Sequence, residues 1–109
     1  MRKVRVFLAS ALFAGAAHAE FWDGNKLLDR LTSSVVVDRV QALGYIMGVS
    51  DTMQTINHCP PPNVQAGQME DMVRNYLNNT PAVRHFSADG IVLQVLKTAF
   101  PCSRGRGNV

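Results

Sequence analysis

The chain has 109 residues, 47% hydrophobic and 17% charged, with 11 basic against 8 acidic side chains and two cysteines. That is one domain's worth of sequence. The net charge of +3 and the pI near 9.2 do not mark a nucleic-acid binder. Arg2, Lys3 and Arg5 are three of the eleven bases, and the other eight balance the eight acids.

Those three bases open a predicted signal peptide over residues 1–19. Val6 to Ala17 follows as an apolar run broken only by Ser10, and Ala17-His18-Ala19 is a small-x-small cleavage site. The run is too short for a membrane span, so no anchor is expected once it is removed. Cleavage after Ala19 leaves 90 residues beginning at Glu20. A domain of that size buries roughly 60–65% of its unfolded surface and is marginal without help. Cys59 and Cys102 supply the help. They are the only thiols, each beside proline at the end of a predicted helix, in a chain read as exported. In an oxidising compartment they are most simply one disulfide.

Four helices are predicted after the signal, and no strand. The first covers about Asp23 to Leu31, with Asp23 as cap and Leu27, Leu28 and Leu31 on one face. The second covers Val35 to Ile56, capped by Ser34. Its expected inward stripe is Val36, Val40, Leu43, Met47 and Ile56, widened by Val37 and Gly44. Gly44 and Gly48 share a face and predict a notch where another helix packs closely, within the monomer or across a dimer. Residues 57–63 form a connection stiffened by Pro60-Pro61-Pro62. The third helix covers Gln65 to Asn78, with Met69, Met72, Val73, Tyr76 and Leu77 inward. The fourth is expected to start at Thr80 as cap with Pro81 first, and to run to Phe100 on a stripe of Phe86, Leu93, Leu96 and Phe100. Residues 103–109 are an expected disordered tail. The fold class is all-α: a small four-helix domain over residues 20–102, tied by one disulfide.

No catalytic constellation is expected. Cys59 with His58 or His85 would need a free thiolate, which an exported cysteine pair does not keep. His58, Cys59, His85 and Cys102 lack the tight spacing of a metal site, and both histidines read as surface residues. Glu70 and Asp71 are adjacent, so they diverge on a helix and form no acid–base pair. There is no phosphate loop, no cofactor motif and no expected metal. The chain reads as a binding or structural protein.

The motifs, taken together, resemble a known family. Gly24-Asn25-x-Leu27-Leu28 is followed by Gly44-Tyr45-Ile46-x-Gly48-Val49-x-Asp51 and then Cys59-x-Pro61. Gln68 leads into Val73-x-x-Tyr76-Leu77. Pro81-x-x-Arg84-His85-x-x-Ala88 and Ala99-Phe100-Pro101-Cys102 complete the series. This order is similar to that of the Rap/Tai immunity proteins, which protect bacteria from type VI secretion amidase effectors. The resemblance implies a small periplasmic helical protein, often a homodimer, that plugs the cleft of a peptidoglycan amidase without modifying it. Where many relatives carry a second cysteine pair this chain has Leu31 and Ala42, so a hydrophobic contact is expected there.

Two surfaces are candidates for the contact. One is the stiff loop with Pro61, Pro62 and Asn63, which would lose little freedom on binding. The other is the turn at Asn79 with Arg84 and His85 beyond it, read as exposed. Both could equally be plain connectors. The competing reading is a periplasmic helical chaperone or envelope-stress protein without a dedicated effector.

Overall fold

A computed structural model describes residues 21–103. The predicted signal peptide and nearly all of the predicted tail lie outside the described residues. The helices are α1 (Gly24–Leu31), α2 (Val36–Met53), α3 (Ala66–Asn79) and α4 (Ala88–Ala99), with a 3-10 turn at Pro81–Val83 between the last two. Among the described residues there is no strand, only two isolated β-bridges. The all-α expectation holds.

α1 starts as its sequence requires: the Asp23 carboxylate accepts the Lys26 N–H at 2.9 Å. Leu27 and Leu31 are buried, with Leu28 packed against them. The α1–α2 corner is fixed by charge and hydroxyl. Arg30 pairs with Asp38 at 3.1 Å. Ser33 donates to Asp38 at 2.8 Å and accepts the Val35 N–H at 3.0 Å. The expected cap Ser34 is not used; Val35 stands at the N-cap position without a side-chain bond.

α2 turns a different face inward than its spacing suggested. Ala42, Ile46 and Ser50 are buried, whereas Val36, Val37 and Val40 are about 60% exposed and Ile56 75% exposed. Apolar residues stand around most of this helix, so periodicity alone leaves its phase open. Packing against α1, α3 and α4 chooses it. Leu31 and Ala42 both lie in the core cluster, consistent with an apolar contact in place of a second bridge. Gly44 and Gly48 face outward: a Cβ at either meets no atom within 4 Å. The close helix contact expected there is not made within the monomer.

α3 follows its pattern. Met69, Val73 and Leu77 are buried, with Met72 and Tyr76 against the core. The Gln65 N–H donates to Gln68 Oε1 at 2.8 Å across the first turn.

The fourth segment is not one helix. After the 3-10 turn the chain opens at residues 84–87, and α4 starts seven residues, about two turns, later than read, with Ser87 at the N-cap position. The cause is tertiary. The stretch before and into α1 takes the backbone groups that a continuous helix would use. Gly24 N–H donates to Phe86 O at 3.0 Å, Asn25 N–H to Arg84 O at 3.0 Å, and Ala88 N–H to Trp22 O at 2.9 Å. Phe86 is therefore half exposed, and the inward stripe is Ala88, Ile91, Val92, Val95 and Leu96. The disulfide forms as expected between Cys59 and Cys102, 43 residues apart.

Candidate functional site

The proline loop leaves the core at Cys59, which is pinned twice. Its sulfur is bonded to Cys102, and its N–H donates to Phe100 O at 2.8 Å. The chain then passes half-buried Pro60 to exposed Pro61, Pro62 and Asn63. Val64 N–H donates to Pro61 O at 3.2 Å, which closes a turn with Pro62 and Asn63 at its tip. Proline fixes φ here before any partner arrives. The result is a short protrusion held at one end by a cross-link and at the other by the first turn of α3.

The second candidate surface is not what the sequence suggested. Asn79 and His85 are exposed, and the His85 ring tilts against Phe86 at 4.2 Å. Arg84 is only half exposed. Its Nε donates to Leu77 O at 2.7 Å and its Nη2 to Asn78 O at 3.1 Å. The guanidinium thus satisfies carbonyls that the end of α3 leaves open. A carboxylate there would face two carbonyl oxygens, so charge reversal would cost stability and could not serve as a clean probe of binding. The two surfaces flank opposite ends of α3, about 20 Å apart at 1.5 Å per residue. They do not form one site.

Two groupings were not legible in the sequence. Trp22 stacks on Tyr45 at 4.9 Å, with the Arg30 guanidinium 5.3 Å from the indole centroid. Burial and the Asp89 carboxylate raise the Tyr45 hydroxyl pKa. Next to Cys59 in the chain, His58 is fully buried rather than at the surface. Its Nε2 lies 3.0 Å from Ser50 Oγ and its Nδ1 3.0 Å from Asn57 Nδ2. Burial lowers its pKa below the ordinary 6.5. Only the neighbouring Asn57 was visible beforehand; Ser50 and α4 come from elsewhere in the chain.

Neither thiol is free, so the cysteine–histidine hydrolase arrangement has no nucleophile. Among the described residues no three of His, Cys, Asp or Glu gather as metal ligands. No described helix is long and apolar enough to cross a membrane. What the fold presents is a small disulfide-tied helical scaffold with a rigid exposed turn.

A family model of the Rap1a immunity proteins matches residues 23–102. The chain belongs to that family. It is an immunity protein, whose work is to bind a cognate secreted effector, and not an enzyme. No curated protein matches it.

Proposed function

We propose that this protein acts in the periplasm and blocks a peptidoglycan amidase delivered by a type VI secretion system, by seating the Pro61–Pro62–Asn63 turn at the amidase cleft. The observation that carries the reading is this turn: exposed, closed by its own hydrogen bond and anchored through Cys59. A pre-shaped protrusion keeps the binding energy that a flexible loop would spend on ordering. Asn79 and His85, beyond α3, form the second contact surface to be tested.

The experiment is co-expression of candidate amidases, directed to the periplasm, with and without this protein. Full protection is expected from the intact chain and none from a version lacking residues 1–19, because the target is outside the cytoplasm. Pro62→Gly with Asn63→Arg should weaken binding at least tenfold, about 1.4 kcal/mol, as expected for a central contact. Equal protection by the signal-less form, or no binding to any amidase from the same or neighbouring genomes, would overturn the periplasmic amidase reading and leave an immunity protein for a different effector.

We further infer a homodimer through the outward face of α2. Val36, Val37 and Val40 form an exposed ridge on its N-terminal half, and Gly44 and Gly48 border an open groove on its C-terminal half. About a two-fold axis, ridge meets groove twice. Gly44→Leu or Gly48→Leu should leave the melting point of the monomer unchanged or raised, since helical glycine is about 0.8–1 kcal/mol worse than alanine. The same variants should dissociate the dimer, as read by sedimentation. An unchanged assembly in both removes this interface.

A further inference from the structure

The hydrogen bonds around His58 define its protonation state. Asn57 Nδ2 can only donate, so His58 Nδ1 carries the lone pair. Asn57 cannot turn over freely, because the same nitrogen donates to Leu93 O at 3.0 Å. A flipped amide would set its oxygen against that carbonyl. His58 Nε2 therefore carries the proton and donates to Ser50 Oγ. The ring is neutral, and each of its nitrogens is occupied.

We propose that His58 and Asn57 are an acid-operated latch that ties the α2–α3 connection to α4. A second proton makes Nδ1 a donor facing the donor nitrogen of Asn57. Asn57 must then leave His58 or flip, and either movement breaks its bond to Leu93 O, the cross-tie between this connection and α4. The segment is also under backbone tension. Thr55 has φ 71°, the left-handed region that a β-branched residue disfavours, and its N–H is held to His58 O at 2.8 Å. Release lets residues 54–58 relax, while the disulfide and the Cys59–Phe100 bond keep the chain in place.

No ionised neighbour offsets this. Asp51 on α2 and Asp89 and Lys97 on α4 are exposed, and Glu70 and Asp71 on α3 are paired with Arg74. Desolvation alone acts on the ring. A histidine whose folded pKa is depressed contributes stability that is complete above its unfolded value. That contribution is lost as pH falls below about 6.5 through the folded value. The latch is thus shut at neutral pH and opens in acid.

The test uses the isolated protein lacking residues 1–19 and needs no effector, so its outcome is separate from that of the protection assay. Nitrogen NMR of the His58 ring is recorded from pH 7.5 to 4.5, with exchange of the Thr55 and Asn57 amides corrected for intrinsic rates. The expected result is an unprotonated Nδ1 at pH 7.5. Opening of residues 55–57 should then rise about tenfold per pH unit once below 6.5, until the folded pKa is passed. Amides in the middle of α3 should not follow. His58→Gln, which cannot take the proton, should abolish the acid response. The proposal is overturned by a protonated Nδ1 at pH 7.5. It is equally overturned by a ring that titrates without change at residues 55–57, or by an acid response that survives in His58→Gln.

Discussion

Removing the Cys59–Cys102 bridge should lower stability by about 2–5 kcal/mol. The bridge closes 43 residues that carry the proline turn, α3, the 3-10 turn and α4. A ring of that size restricts the unfolded chain by about 4 kcal/mol in the chain-entropy model. The folded side loses little, because Cys102 is exposed and the Cys59 N–H keeps Phe100 O at 2.8 Å. The double variant Cys59→Ala/Cys102→Ala is the clean test, since it leaves no stray thiol. Its urea midpoint should match that of the reduced wild type, and both should fall well below the oxidised protein. If the reduced and oxidised proteins unfold together, the cross-link does not stabilise this domain.

The parts of this fold that were legible in the sequence are those decided locally. α3 shows a single apolar stripe, and Met69, Val73 and Leu77 are where it put them. Asp23 precedes α1 and caps it. Two thiols in a chain read as exported leave one simple pairing, and it is the one made. The rest depended on distant contacts. α2 has apolar residues on several faces, and only its neighbours decide that Ile46 goes in and Val40 stays out. The run from Thr80 has good helical signals, yet the first two residues of α1 claim the carbonyls of Arg84 and Phe86. The candidate site divides the same way. Three prolines announce a stiff turn. That Arg84 is committed to the end of α3, and that His58 is buried, follows from chain segments that no local window contains.

Gly24 illustrates the point and gives the second large prediction. It is the first residue of α1, and its N–H donates to Phe86 O. A Cβ there would lie 2.7 Å from Ile91 Cδ1 and 2.9 Å from both Cα and O of Arg84. The Ile91 methyl is the end of a side chain and can turn aside. The Arg84 backbone cannot follow, because its carbonyl holds Asn25 and its guanidinium holds the last carbonyls of α3. In Gly24→Ala, α1 must back away and stretch the bonds that start it. Overpacking of this kind costs about 1–3 kcal/mol. In a domain of this size each kcal/mol is worth roughly 4–8 °C, so a fall in Tm of about 5–20 °C is expected. Gly67→Ala is the internal control. It sits in open space on α3, and its Tm should hold or rise by helix propensity. If the two alanine variants shift Tm in the same direction, the close approach of α1 to the Arg84 backbone is not what fixes glycine at position 24.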